Sequence, residues 1–326
     1  MTDMMKRIMV SGAAGQIGTE LLKVLRKKHG PSNVLAVDIQ KLADPSLSDS
    51  GPFEFCDVTK PEQIEKIVRE YRIGTIYHMA AILSARGEKN PHQAWDVNIN
   101  GTYNILETAR EHKMVRVFIP SSIAAFGSET PRENTPQETI LRPKTMYGVT
   151  KVAGELLGDY YVRRFNLDVR GCRFPGIISH ETLPGGGTTD YAVAIFYEAV
   201  KNKRYVCFLK EDTRLPMMYM PDCLKSVMDL MEADFGRLRH HADFNLAAMS
   251  FTPAELAAEI KKHIPEFRCE YKPDFRQAIA DSWPMSIDDS AAREEWGWKP
   301  DYDLAATAKD MLAALSKRHA EGKLNY

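Results

Sequence analysis

The chain predicts an α/β fold, a doubly wound parallel sheet with a smaller C-terminal lobe. Three observations carry that prediction. Short apolar runs alternate with helical periodicities up to about residue 173, the pattern of successive βαβ units. The first run, Ile8, Met9 and Val10, turns through Gly12, Gly15 and Gly18 into a helical stretch. After Phe174 the alternation gives way to loop material and scattered short elements. The expected division is residues 1–173 as the sheet domain, with later segments returning to complete the sheet, and residues 174–326 mainly as a substrate lobe.

The glycine turn reads as a dinucleotide site. Gly12 permits the tight turn, Gly15 leaves room for phosphates, and Gly18 lets helix and strand pack closely. The free N–H groups and positive end of the following helix suit an anion. The spacing, G-x-x-G-x-x-G, is a variant of the G-x-G-x-x-G fingerprint. The second run, VLAVD at Val34–Asp38, ends in an acid 20 residues after Gly18. Asp38 is there placed to bond an adenosine ribose, and it favours NAD over NADP because a 2′-phosphate would meet a like charge. This half therefore reads as an NAD(P)-binding, Rossmann-like domain. The competing reading is an ordinary βαβ unit in which Asp38 merely starts a loop.

Residues 18–28 form the first helix, apolar at Ile17, Leu21, Leu22 and Leu25, and His29-Gly30-Pro31 ends it. Residues 40–51 are polar and read as loop. A short strand at 53–56 ends at Asp57-Val58, where Asp57 either meets an adenine amino group or caps the turn before Thr59. Pro61–Tyr71 is helical, with proline tolerated in its first turn. Residues 75–79 are a buried strand, and Ala80-Ala81 leave room for a cofactor or for close packing. Residues 90–112 are helical and hold Asn98, an amide expected to have a specific partner. A strand at 116–120 leads to Ser121-Ser122, a polar insertion fills 127–142, and a long helix covers 145–164. A further strand lies at 168–173.

In the second part, Pro175-Gly176 and LPGGGTTD at 183–190 are loop material. Helices are expected at 191–201, 221–232, Pro253–His263 (capped by Thr252 and Glu255) and 304–315. Extended pieces are expected at Arg204–Cys207, 214–220 and 243–246, with a loop at 270–279. Such a lobe would cover the C-terminal ends of the strands, where these folds bind ligands.

Composition narrows the function classes. With 44% hydrophobic and 27% charged residues over 326 positions, the chain can bury one large core. A net charge of -1 with scattered Lys and Arg excludes a nucleic-acid footprint and a polybasic membrane patch. Cys56, Cys172, Cys207, Cys223 and Cys269 stand apart with no C-x-x-C pair, so they read as separate thiols in a reducing compartment. Neither a signal peptide nor an apolar run of about 18 residues is present, and cytoplasm is the expected location.

Tyr147 and Lys151 lie four apart on one helix, so both side chains leave the same face. A tyrosine is a poor base near neutrality, and a lysine cation beside it favours the phenolate. Ser122, at the end of an inner strand, can hold a substrate oxygen. The three groups suit alcohol oxidation, in which Tyr147 takes the hydroxyl proton while a hydride leaves the carbon. Lys151 can also bond the nicotinamide ribose. A Y-x-x-x-K pair by itself more often marks a surface helix with an aromatic anchor.

The stretches Gly12 to Gly18, Asp38, Asp57-Val58, His78 to Ala81, Asn98 with Gly101-Thr102, Ser121 to Gly127, and YGVTKVAGE at 147–155 together resemble the extended short-chain dehydrogenase/reductase family. That family includes the nucleotide-sugar epimerases, and the resemblance spans nearly the whole chain. More narrowly, RFPGIIS at 173–179, PGGGTTDYAV at 184–193 and DTRLPMMYMPD at 212–222 resemble the short-chain type of L-threonine 3-dehydrogenases. The resemblance implies NAD-dependent oxidation of the threonine 3-hydroxyl to 2-amino-3-oxobutanoate, without a metal. It implies catalytic roles for Ser122, Tyr147 and Lys151, with Tyr147 as general base. It implies nucleotide contacts at Gly12, Gly15, Gln16, Ile17, Gly18, Asp38, Asp57, Val58, Met79, Ala80, Ala81, Asn98 and Pro175, together with Tyr147 and Lys151.

Threonine is small and zwitterionic, so its pocket needs donors for a carboxylate and an acceptor for an ammonium. Expected contacts are Ser84, Ser122, Tyr147, Gly186, Thr188 and Thr189, on a glycine-rich segment that could close over the substrate or could be only a connector. Arg214 could serve the carboxylate or pair with Asp212 or Glu211. A homodimer joined through a four-helix bundle of about residues 94–112 and 147–165 is implied by analogy, although Leu156, Leu157, Tyr160 and Tyr161 also suit an internal core. Alternatives are a nucleotide-sugar epimerase or dehydratase, and a dinucleotide-binding regulator without turnover. Phe126 and Pro175 stand where many nucleotide-sugar enzymes carry Tyr and Asn, which counts against the first. Retention of Ser122, Tyr147 and Lys151 together counts against the second.

Overall fold

The computed structural model describes residues 7–181 and 187–324. Strands β1 (Ile8–Ser11), β2 (Val34–Asp38), β3 (Phe53–Phe55), β4 (Thr75–His78) and β5 (Arg116–Phe118) are parallel neighbours. After β6 (Ser121–Ser122), β7 (Val169–Arg170) completes a six-stranded sheet in the order β3-β2-β1-β4-β5-β7. Val10 lies opposite both Ala36 and Tyr77, and the winding reverses between β1 and β4. Ligands bind such sheets at that reversal, beyond the strands' C-terminal ends. β1 and β4 are buried along their whole length, as a parallel sheet covered on both faces requires.

Leu21, Leu22 and Leu25 of helix Gln16–His29 pack with Val227 and Met231 of helix Met220–Glu232 in one core cluster. Ile64 and Ile67 of Pro61–Tyr71 join Ile105 and Leu106 of Gly101–Glu111 in another. Each such fully buried aliphatic side chain stabilises the fold by about 1.5–3 kcal/mol.

Two expected continuous elements are interrupted. The strand at 168–173 breaks at Gly171, where an added Cβ would meet the Ile119 carbonyl oxygen at 2.1 Å. It resumes as β8 (Cys172–Phe174), which pairs with β6, and is followed by β9 (Gly176–Ile178). The helix at 90–112 is wound as Pro91–Trp95 and Gly101–Glu111 around a π turn, Asp96–Asn100.

In the later chain, β10 (Arg204–Cys207), β11 (Leu215–Tyr219), β12 (Phe244–Asn245), β13 (Met249–Phe251) and β14 (Arg268–Tyr271) are short. β12 lies beside β8, β9 and β13 flank β11, and β14 pairs with β10. Thus β14 and helix Arg276–Ala280 occupy most of a stretch that reads as loop. Helices Tyr191–Asn202, Pro253–His263 and Leu304–Ala320 close a second core around Phe196, Leu256 and Met311. The capping box of Thr252 and Glu255 forms as its spacing predicts. Short helices Pro45–Asp49, Ser84–Lys89 and Ser290–Trp296 have no counterpart in the sequence reading, since one or two turns show no periodicity. Among the described residues no helix is long and apolar enough to cross a membrane.

Candidate active site

The glycine turn delivers the helix Gln16–His29 to a cleft with about 1030 Å³ of empty space at the sheet's reversal point. Gly12 has φ of 70°, and a Cβ there would lie 2.4 Å from the Ala80 nitrogen, so only glycine fits. Gly15, Gln16, Ile17 and Gly18 line the cleft with Met79 and Ala81. The Gln16 Nε2 is buried there without a protein partner. At the end of β2, Asp38 accepts hydrogen bonds from the Ala14 and Gln40 amides, each at 3.0 Å, which ties the acid to the glycine turn. An anion-accepting helix start, an orphaned amide and an anchored acid fit a dinucleotide.

The adenine-side candidates lie outside the cleft lining. Asp57 accepts from the Thr59 amide (2.9 Å) and hydroxyl (2.8 Å), a local turn, while the N-cap of the next helix is Lys60. Val58 is buried against Gly101, and its carbonyl accepts from the Asn104 amide at 3.0 Å. Asn98, in the π turn, spends its side chain on protein. It donates to the Ile82 carbonyl and Thr150 hydroxyl at 3.0 Å each and accepts from the Ile82 amide at 2.8 Å. It thereby fastens the loop after β4 to the helix bearing Tyr147. Ala80 sits beneath Gly12 and lines a small cavity behind Lys151 with Asn98 and His78.

Ser122, Tyr147 and Lys151 converge in the same cleft. Tyr147 and Lys151 share the first turns of helix Met146–Phe165, whose N-cap Thr145 accepts from the Gly148 amide at 3.0 Å. Ser122 ends β6 beside Tyr147, and its hydroxyl accepts from the Ala124 amide at 3.2 Å. The Lys151 ammonium lies 5.3 Å from the Tyr147 ring centroid and donates to the Pro120 carbonyl at 2.6 Å. Burial pushes the Tyr147 phenol up to about 12, with Ser122 opposing. Burial also brings Lys151 down to about 8, with the Glu155 charge opposing. The phenolate that the Tyr–Lys spacing suggests is thus outweighed here by desolvation.

Pro175, Ser84, Thr188 and Thr189 also line the cleft, whereas Gly186 lies outside the described residues. The Thr188 hydroxyl is buried without a hydrogen-bond partner. Arg214 serves neither Asp212 nor Glu211. It donates to the Ser250 carbonyl at 2.8 Å and pairs with Glu255 at 2.5 Å. Among the lining residues that sequence reasoning missed, Asp190 and Trp283 bring the most chemistry. Asp190 brings a carboxylate that accepts from the Gly187 amide at 2.6 Å. Trp283 arrives from far along the chain, because Arg132 donates to its carbonyl at 3.0 Å and Thr135 bridges Ile287. An acid ending the run GGGTTD was the one available signal for Asp190, and Trp283 had none.

Residues 8–247 match the model of the NAD dependent epimerase/dehydratase family. An uncharacterized epimerase/dehydratase of Staphylococcus haemolyticus is 52% identical over 315 residues, covering 96% of this chain and 99% of that protein. The L-threonine dehydrogenase of Clostridium difficile superposes with a TM-score of 0.94 at 52% identity, covering 98% of this chain and 99% of that one. A monomeric L-threonine 3-dehydrogenase from a metagenome gives 0.92 at 47% identity, covering 95% and 99%.

Proposed function

The chain belongs to the NAD dependent epimerase/dehydratase family, and from that premise we infer that it oxidises the 3-hydroxyl of L-threonine to L-2-amino-3-oxobutanoate. The observation that carries this reading is the meeting of Ser122, Tyr147 and Lys151 with Thr188, Thr189 and Asp190 in one cleft beside the glycine turn. NAD, when bound, supplies the hydride acceptor. Gly12, Gly15, Gln16, Ile17 and Gly18 hold its pyrophosphate, Asp38 its adenosine ribose, and Asp57 and Val58 its adenine side. Met79, Ala81 and Pro175 would shape the remaining surface, Ala80 beneath Gly12 and Asn98 through Ile82 would support it from behind, and Lys151 would donate to the nicotinamide ribose.

Ser122 holds the substrate oxygen and Tyr147 takes its proton as the C–H bond breaks and the ketone forms. The hydroxyls of Ser84, Thr188 and Thr189 take the substrate carboxylate, and Asp190, whose carboxylate also holds the Gly187 amide, faces the ammonium. Trp283 supplies apolar wall. Residues 1–173 serve the dinucleotide and 174–326 mainly the substrate.

The enzyme works as a homodimer in a reducing cytoplasm, with a place in threonine catabolism. Supporting the dimer, Trp95, Tyr103, Leu156 and Tyr160 are exposed on the two helical stretches, Leu156 by 65%. The five thiols, all unpaired, support the compartment.

The deciding experiment supplies purified protein with NAD and L-threonine and follows NADH absorbance. NADH formation with threonine, and no epimerised product from nucleotide sugars, is the expected result. Turnover of a nucleotide sugar without threonine oxidation overturns the reading.

A further inference from the structure

The segment that carries Thr188 and Thr189 leaves the sheet at β9, and Ser179 and Glu181 just beyond that strand are tied to the dinucleotide helix. Ser179 is buried and donates from its hydroxyl to the Glu20 carboxylate, while accepting from the Glu181 amide at 3.0 Å. Glu181 in turn pairs with Lys23 at 2.5 Å. Glu20 and Lys23 stand one and two turns along the helix whose first residues, Gln16, Ile17 and Gly18, line the cleft. Between these ties, the His180 carbonyl accepts from Arg318 at 2.5 Å and from the Tyr197 hydroxyl at 3.0 Å. On the far side of the segment, Thr189 packs on Gly176, the first residue of β9, so closely that a Cβ on Gly176 would approach its Cβ to 2.7 Å.

From this arrangement we propose that Glu20 and Lys23 are positioning residues. They clasp Ser179 and Glu181 so that Thr188 and Thr189 are held at the substrate, and they couple the helix under the pyrophosphate to the threonine site. The proposal rests on the threonine-oxidation reading. The helix start, Glu20 and Lys23 belong to one helix, so an anion that steadies its first turn also steadies the clasp. A side chain one turn from the cofactor thereby acts on the other ligand without touching either. Burial pushes the Glu20 carboxyl up to about 7, with the Ser179 hydrogen bond opposing, so a glutamine is a close mimic of the group in place.

The test compares Glu20→Ala, Glu20→Gln and Lys23→Met in the full chain. Lys23 is partly exposed and its loss spares the core, so that variant folds even where Glu20→Ala does not. The expected result is a rise of about tenfold in KM for threonine in Glu20→Ala and a smaller rise in Lys23→Met, with kcat within about threefold and Glu20→Gln near wild type. Hydrogen exchange gives a readout independent of turnover. NAD slows exchange at residues 176–181 and 187–190 in wild type and in Glu20→Gln, and does so less in Glu20→Ala and Lys23→Met. Unchanged KM in both clasp variants, loss of kcat alone, or NAD protection that survives both variants overturns the proposal. Absence of threonine turnover in the wild type, with NAD protection intact, instead counts against the activity reading and leaves the clasp measured by exchange.

Discussion

Glu155 and Arg173 form a two-pronged ion pair sealed inside the protein, with Nε to Oε1 at 2.9 Å and Nη2 to Oε2 at 2.8 Å. Both side chains are at most 4% exposed. Glu155 also accepts from Ser121, the neighbour of Ser122, and Arg173 extends to the Asn245 side chain at 3.1 Å and over the Phe126 ring. The pair thus joins the helix of Tyr147 to the strand end carrying the serines, one turn beyond Lys151.

Removing one partner strands the other charge. Glu155→Ala should lose about 3–5 kcal/mol of unfolding free energy, read by denaturant titration, because Arg173 stays buried with only the Asp243 carboxylate near it, at 3.6 Å. A loss below about 1 kcal/mol would show that water reaches the site and takes the pair's place.

Tyr147→Phe keeps the ring in the cleft and deletes the phenolic oxygen assigned to accept the substrate proton. Threonine oxidation should fall about 10²–10⁴-fold while NADH binding, followed by fluorescence, changes little. Oxidation at wild-type rate would remove Tyr147 from the chemistry.

The pH profile follows from two opposed shifts. Tyr147, pushed up to about 12, works deprotonated, so its active fraction grows with each pH step below that value. Lys151, brought down to about 8, loses its charge above that point. The kcat/KM for threonine should therefore climb through neutrality and flatten above about pH 8. A profile falling from pH 6 to pH 8 would contradict the assignment.

At Gly176 an added methyl would meet the Met217 sulfur at 2.4 Å and the Thr189 Cβ at 2.7 Å. Gly176→Ala should push Thr189 out of place and raise KM for threonine about tenfold, with dinucleotide affinity unchanged. Equal losses for both ligands in titration calorimetry would mean that the whole sheet edge had shifted.

Charge on the exposed stripe should report assembly. Leu156→Glu combined with Tyr160→Glu should halve the mass of the wild-type particle in analytical ultracentrifugation if the stripe is an interface. A wild type that sediments as a monomer would refute the dimer.

What the sequence showed and what it hid follow from contact range. Gly12, Gly15, Gly18, Asp38, Tyr147 and Lys151 announce themselves because their chemistry depends on local spacing, and Ser122 because a strand must end there. Asn98 was legible as an amide wanting partners, yet Ile82 and Thr150 as those partners were not, since one is 52 residues away. Trp283 is set by bonds to the insertion at 127–142, more than a hundred residues earlier, and no periodicity encodes such a meeting. Arg214 could be read only against its sequence neighbours, while Glu255 waited on an adjoining helix.

The widened turn at Asp96–Asn100 has a consequence for what this helix can become. A π turn takes up one residue more than regular winding. Deleting a residue there would restore the ordinary pitch and leave the later side chains facing much as they do now, because the wide turn absorbs the extra residue. Ile105 and Leu106 would stay in the interior and Tyr103 at the surface, while Asn98, inside the turn, would release the loop after β4. Interior fit and outward face therefore survive such a shortening, and the direction of the amide alone depends on the wide turn.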